Sequence, residues 1–304
     1  MATRRITEIC GKEVRVTGRL LRIAQLEGDG YEFLSDPEAM IDRLRKCGVG
    51  IDLFTFLQKL PETSPKYAYP MEWDNLAAVP VSTFDHWWTQ QIRPEARNRA
   101  RQAEKKGIVI REVPFSDALV KGIWEIYNES PVRQGRRFPH YGKNLETVHR
   151  EEATFLDSSF FIGAFLRDKL IGFVKLTADE TRTQANLMNI LSTIEHRDKA
   201  PTNALIAQSV RACAERGISY LVYQSFSYGH KKWDGIMKFK QVNGFQRVDL
   251  PRYYVPFTHW GRVAFRLRLH HRFVDRLPES VVGRLRRFRN DWYGRKFQAA
   301  KESV

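Results

Sequence analysis

Cysteine is scarce in this 304-residue chain, and the three present, Cys10, Cys47 and Cys213, are scattered. An odd, dispersed set supports neither a disulfide framework nor a thiolate metal site. Long apolar runs are missing too: none approaches the roughly 20 residues that carry a helix across a bilayer. The opening residues, Met1-Ala2-Thr3-Arg4-Arg5-Ile6, lack the apolar core of a secretory signal, so a cytoplasmic location is expected. Metal-ligand spacings, a catalytic triad and an intact nucleotide-binding glycine loop are also absent, and no metal is expected. Acidic residues are in deficit, 35 Asp and Glu against 50 Lys and Arg, for a formal charge of +15.

What is present is a chain 42% hydrophobic and 12% aromatic, too apolar for disorder and long enough for one large core or two modest ones. Its positive charge is concentrated at the end. From Thr258 to Val304 there are twelve Lys and Arg against four Asp and Glu. Trp260, Val263, Leu267 and Val274 sketch one helix there. After Leu277-Pro278, Val281, Leu285, Phe288 and Trp292 sketch a second, with Arg284, Arg286, Arg287 and Arg289 on its other faces. Two readings stand for this basic tail: an apolar stripe docked on the main domain with solvated arginines, or a helix lying on anionic lipid or a phosphate backbone.

Along the chain, Val14 to Leu26 reads as a strand or hairpin. Asp36-Pro37 opens a helix whose apolar side is Met40, Ile41, Leu44 and Cys47. Ile51 to Leu57 and Leu76 to Val81 read as strands, giving a β-α-β layout before residue 82. The loop between them holds Pro61, Pro65, Pro70, Tyr67, Tyr69 and Trp73; it either covers a pocket or packs on a core edge. A helix is expected near Ser82-Thr83-Phe84-Asp85, broken at Pro94.

Arg93 to Gly107 then forms a basic helix with Ala96, Ala100 and Ala103 on one face, closed by Lys106-Gly107 ahead of the strand Ile108 to Val113. This segment resembles the entry to Fem-type aminoacyltransferases, in which an Arg/Asn-rich helix ends in Lys-Gly before a strand. A helix follows over Asp117 to Tyr127, and then a loop that gathers Arg133, Gln134, Arg136, Arg137, His140, Tyr141 and Lys143. Guanidinium forks match carboxylate or phosphate, and aromatic faces cover rings, so Arg133, Gln134, Arg136, His140, Tyr141 and Lys143 are the candidate substrate-binding residues. A merely solvated loop is the competing account.

From Phe160 to Phe245 the order is strand, tight turn at Arg167-Asp168-Lys169, strand, strand to Ile194, a helix with Ile206, Val210, Cys213 and Ala214 inward, a buried strand over Ile218 to Gln224, and a charged helix. This order resembles the GNAT acyl-CoA N-acyltransferase core over roughly Ile108 to Phe257. The resemblance implies an α/β (α+β) fold with a mixed, mainly antiparallel sheet flanked by helices. The first strand-helix-strand set is read as a degenerate second copy. Three segments follow: 1–92 as a degenerate half, 93–257 as the acyltransferase domain and 258–304 as the basic tail.

In that family the turn before the central helix carries an Arg/Gln-x-x-Gly-x-Gly/Ala pattern that cradles the pyrophosphate of coenzyme A. Here the positions read Arg197-Asp198-Lys199-Ala200-Pro201-Thr202, with the arginine kept and both glycines gone. Arg197, Lys199, Thr202 and Asn203 are the implied cofactor-binding residues, with acyl-CoA or acetyl-CoA as co-substrate. Side-chain bulk and a proline without an N–H obstruct that approach. Fem-type proteins also lack these glycines and take their acyl group from aminoacyl-tRNA. For catalysis the resemblance implies Glu195 or His196 as the base and Ser225 and Tyr228 on the leaving-group side. Three functions result. The first is an N-acyltransferase moving an acyl group from a thioester to an amine such as an amino sugar or amino acid. The second is a Fem-like peptidyltransferase with tRNA as partner. The third is a non-catalytic protein holding lipid or nucleic acid, with peripheral contact to an anionic membrane face through 258–304.

Overall fold

The computed structural model describes residues 5–227 and 235–271. In chain order the elements begin with β1 (Arg5–Ile9), β2 (Lys12–Thr17), β3 (Ile23–Leu26), α1 (Pro37–Lys46), β4 (Leu53–Leu57) and β5 (Met71–Pro80). Next come α2 (Phe84–His86), which runs into a π-helical turn over Trp87–Gln91, α3 (Pro94–Lys105), β6 (Val109–Val113) and α4 (Asp117–Tyr127). The short pair β7 (Val132–Arg133) and β8 (Arg136–Arg137) precedes α5 (Leu145–Glu152), β9 (Ser159–Leu166), β10 (Lys169–Ala178) and β11 (Gln184–Ser192). The chain continues through α6 (Pro201–Glu215), β12 (Tyr220–Val222), α7 (Gly235–Val242), β13 (Gln246–Pro256) and α8 (His259–Arg266).

Local chemistry sets many of these boundaries. The Asp36 carboxylate accepts the Ala39 N–H at 3.0 Å, and Pro37 occupies the first turn of α1, where its missing N–H costs nothing. Ser116, Asn144 and Thr258 cap α4, α5 and α8 in the same way. Ala96, Ala100 and Ala103 are buried where α3 packs on α6, so small side chains allow close approach. Cys213 is fully buried on α6, and burial pushes its thiol up to about 12, as suits a small core hydrophobe.

The described residues form two compact units. One comprises 5–78, 224–227 and 246–271, and the other 79–223 and 235–245. In the first, strands run in the order β1-β2-β3-β4-β13-β5, all antiparallel except β3 and β4. In the second the order is β12-β11-β10-β9-β6, antiparallel except β11 and β12. Each unit therefore contains three antiparallel strands whose third is joined by a helix to a parallel fourth: β1-β2-β3-α1-β4 and β9-β10-β11-α6-β12. The expected mixed, mainly antiparallel architecture with a duplicated half is what the chain adopts.

The units differ from the expected segments in two places. The first stretch of the first unit ends at Ala78, inside β5, where the expected boundary is 92, and β13 lies in the first unit, where the expected segments group 246–256 with the second. The core of the first unit includes Met40, Ile41, Phe54, Phe56 and Tyr253. That of the second includes Ile123, Ile126, Tyr127, Phe161 and Phe173. The aromatic loop after β4 packs on the first core, with Tyr67 against Phe56 and Tyr253. The Tyr253 hydroxyl donates to Gln58 at 2.8 Å and accepts the Lys66 N–H at 2.7 Å.

Only the first helix of the tail lies among the described residues, and there the expected apolar stripe is not the docked side. Of the residues placed on its first helix, Trp260, Val263 and Leu267 are exposed, whereas Gly261 and Ala264 face inward. Val274 and the second helix around Val281 to Trp292 lie outside the described residues.

Candidate active site

The candidate site is at the end of β11, in the second unit. β11 pairs with β12 only at Gln184, Ala185 and Asn186, and then runs six residues further beside β10 alone. Two strands that part in this way leave backbone groups on one edge of β11 open to a ligand. The turn from Thr193 to Ala200 follows, and α6 begins there.

This turn is organised by a residue that sequence reasoning passed over. Glu129, just after α4, accepts the backbone N–H groups of Ile194 at 2.7 Å and Glu195 at 3.0 Å. The same carboxylate pairs with Arg133 at 2.8 Å. Arg133 also donates to the carbonyls of Ser192 at 2.7 Å and Ile126 at 2.8 Å, and its guanidinium lies over the Phe138 ring. An arginine so engaged, with its side chain only 8% exposed, is a clamp between the loop and β11 and not a free substrate-binding fork.

The other loop candidates separate into two groups. Gln134 and Arg136 are exposed on the β7–β8 hairpin, where Gln134 (φ 52°) and Gly135 (φ 69°) make the left-handed turn that two-residue hairpins favour. Tyr141 is exposed as well. His140 and Lys143 turn inward: Lys143 pairs with Glu151 at 2.5 Å and lies 3.2 Å from His140 Nδ1. Burial, and then the Lys143 cation, hold the His140 imidazole below its ordinary value.

Beneath His140 lies a buried polar network. The imidazole ring sits 4.3 Å from that of Tyr127, whose hydroxyl donates to Glu152 at 2.8 Å. Asn189 of β11 donates to the same Glu152 oxygen at 2.9 Å, and the other carboxylate oxygen has no hydrogen-bond partner among the described residues. Lys175 of β10, fully buried, donates to the carbonyls of Glu152 at 2.8 Å and Thr154 at 2.5 Å. Burial drives Glu152 above its ordinary value and Lys175 down to about 8. This chain of groups connects the loop to β11 from the side of α4 and α5.

The turn itself brings together Glu195, His196, Arg197, Lys199 and Thr202. Glu195 and Arg197 are exposed, and His196 and Lys199 are half-buried, with Lys199 Nζ 3.5 Å from His196 Nδ1. Asp198 is tied to α3 by Lys106 at 3.1 Å. Thr202 Oγ1 lies 3.1 Å from Ser192 Oγ, joining the first turn of α6 to the end of β11. Ala200 adopts the left-handed conformation (φ 55°) and Pro201 opens α6 without a side-chain cap. Asn203 points into the core, where its amide donates to Asn243 at 3.2 Å. It was expected to touch a cofactor; its side chain is instead engaged in a buried amide pair. Ser225 belongs to the first unit, and Tyr228 lies outside the described residues.

A groove of about 580 Å³ runs beside α3, α6 and β6. Arg211 lies 3.8 Å over the Phe84 ring and Arg101 5.5 Å over Trp88, while the two rings stack at 5.5 Å. In the first unit Glu72 approaches His270 at 3.3 Å and His271 at 3.0 Å, a trio close enough to hold a cation, although no metal was expected.

No protein-family model matches the sequence, and no curated protein matches it. Solved structures do. FemX aligns with a TM-score of 0.58 at 10% identity, over 88% of this chain and 90% of that one. L-PGS from Bacillus licheniformis aligns with a TM-score of 0.57 at 13% identity, over 86% and 87%. The C-terminal domain of a putative lysylphosphatidylglycerol synthetase from Agrobacterium fabrum gives 0.55 at 13% identity, over 86% and 87%. At these identities it is the architecture that is shared: the chain has the GNAT-like fold of Fem-type proteins over nearly its whole described length.

Proposed function

We propose that the chain is an acyltransferase that moves an aminoacyl group from an ester donor, of the kind tRNA carries, to an amine such as that of an amino sugar or amino acid. The observation that carries this reading is the start of α6, where the fold would receive a donor. A pyrophosphate cradle needs backbone N–H groups and close approach. Here the first helical position is Pro201, which has no N–H, Ala200 brings a Cβ, and Asn203 is turned into the core. The name of one similar structure, the C-terminal domain of a putative lysylphosphatidylglycerol synthetase, points to an aminoacyl product. The Arg101–Arg211 groove with its stacked aromatic pair is a surface suited to a polyanion with flat bases.

In this reading the open edge of β11 orients the donor carbonyl. The acceptor amine gives up a proton to Glu195 or His196, its nitrogen bonds to the carbonyl carbon, and the ester C–O bond breaks with the proton passing to the departing hydroxyl. The acceptor approaches from the side of His140 and Lys143. A second reading, transfer from acyl-CoA, is favoured by Arg197 and by the helix dipole at the same turn.

Both readings meet in one pair of measurements. Aminoacyl-tRNA with a labelled amino acid is expected to lose its label to an added amine under single-turnover conditions, and millimolar coenzyme A is expected to leave the melting temperature unchanged. A clear rise with coenzyme A, together with inert aminoacyl-tRNA, would overturn the ester reading in favour of the thioester one.

A further inference from the structure

The first unit carries an exposed apolar patch drawn from two distant segments. Leu20, in the turn between β2 and β3, is 89% exposed, and Trp260, Val263 and Leu267 of α8 and its end are 43%, 45% and 61% exposed. Single exposed apolar residues are ordinary, but a cluster rimmed by charge marks a contact surface. Leu20 and Trp260 are adjacent, because the Trp260 indole N–H donates to the Leu20 carbonyl at 2.8 Å. Around them Arg19, Arg262, Arg266 and Arg268 are all exposed.

The patch is built and not accidental. Asp52, buried just before β4, accepts from the Arg22 backbone N–H at 2.9 Å and from its guanidinium at 3.0 and 3.2 Å. The same carboxylate accepts the Thr258 hydroxyl at 3.0 Å, and Thr258 caps α8 through the Gly261 N–H at 2.9 Å. Gly261 lies so close to Asp52 that an added Cβ would come within 1.9 Å of its carbonyl oxygen. One buried carboxylate therefore fixes both the turn bearing Leu20 and the helix bearing Trp260. The apolar tips are held outward by a rigid support.

We propose that this surface seats the protein on an anionic lipid bilayer, with Leu20, Val263 and Leu267 entering the acyl boundary and Trp260 at headgroup level. A tryptophan with an apolar body and one donor suits that depth, and interleaved arginines meet anionic headgroups. Charge complementarity selects this occupant, since a protein partner of the same size would need acidic groups facing Arg19, Arg262 and Arg266. The proposal is independent of which donor the transferase uses.

The test is co-sedimentation of the full chain with phosphatidylcholine vesicles containing roughly one third phosphatidylglycerol, compared with phosphatidylcholine alone. Binding is expected only to the anionic vesicles and is expected to fall as salt is raised. The combined variant Leu20→Ser, Val263→Ser, Leu267→Ser is expected to bind at least tenfold more weakly while keeping its melting temperature, and hydrogen exchange at 259–268 is expected to slow only when vesicles are present. Undiminished sedimentation of that variant would overturn the proposal. So would a loss of self-association in solution on the same substitutions, which would assign the patch to a second copy of the chain.

Discussion

Lys175→Met tests the buried network with a signal no surface effect can imitate. The Lys175 ammonium is fully buried and its proton affinity falls to about 8 from an ordinary 10.5. Below pH 8 both folded and unfolded chains hold this proton, and the native state carries the full cost of burying the charge. Between pH 8 and 10.5 the folded chain has released the proton while the unfolded chain keeps it, so stability rises with pH. At ~1.4 kcal/mol per pH unit, the window is worth about 3 kcal/mol. The variant has no such group, and at neutral pH it also leaves the carbonyls of Glu152 and Thr154 without their donor, costing about 1–3 kcal/mol. Urea unfolding of both proteins from pH 7 to 11 supplies the comparison, because tyrosines and surface lysines titrate alike in each. The difference between the two curves should slope in favour of the wild type from pH 8 upward. A flat difference would refute the assignment of a depressed, buried Lys175.

Two further substitutions address the turn. Glu129→Ala removes a partly exposed carboxylate that serves two backbone N–H groups and Arg133, and should lower stability by about 2–4 kcal/mol in chemical denaturation. Transfer activity should fall more than tenfold, whereas Glu129→Gln should recover part of the stability; a neutral Glu129→Ala would show that the turn holds itself. Asn203→Ala breaks the buried pair with Asn243 and should cost about 1–2 kcal/mol with an unchanged KM for the donor. A raised KM at unchanged stability would return Asn203 to the donor site.

Element order was readable because each piece had local punctuation: Asp36-Pro37 at α1, Lys106-Gly107 after α3, and apolar runs interrupted at Arg167-Asp168. The β-β-β-α-β order of the second half could be inferred from that punctuation, whereas the first half read only as strand-helix-strand and β1 (Arg5–Ile9) carried no signal that was read. Pairing across the chain could not, since nothing in Gln246–Pro256 says that it will join β4 and β5 instead of the strands beside it in sequence. The site divides along the same line. Glu195 to Thr202 cluster because they are consecutive, and reading them as a group required only the turn. Glu129 is separated from that turn by more than 60 residues and looks like any acid at a helix end. Arg133 and Asn203 misled because residue type announces what a side chain can bond, while its partner is set by packing. His270 and His271, in the turn after α8, had no visible ligand spacing because Glu72, their neighbour, lies in β5, 199 residues before His271.

The start of α6 poses the question that decides the donor, and Ala200→Gly separates its two answers. Ala200 holds a left-handed backbone at φ 55°, which costs a residue with a Cβ about 1–2 kcal/mol. Glycine removes that cost but brings about 0.5–1 kcal/mol of extra chain entropy to the unfolded state. The net expectation is a gain of about 0.5–1 kcal/mol, or a rise of a few degrees in Tm. A fall in Tm would mean that Ala200 is not left-handed. For function the two readings diverge. If coenzyme A were the donor, removing the Cβ would let its pyrophosphate approach the backbone, and its affinity would rise. With an aminoacyl ester donor the same change should leave transfer untouched, because no phosphate is cradled at this turn. Pro201 remains in both cases, so any coenzyme A gained by Ala200→Gly would still lack one N–H, and the double variant Ala200→Gly, Pro201→Ala should gain more. Silence of both variants toward coenzyme A, with transfer intact, is the outcome the ester reading requires.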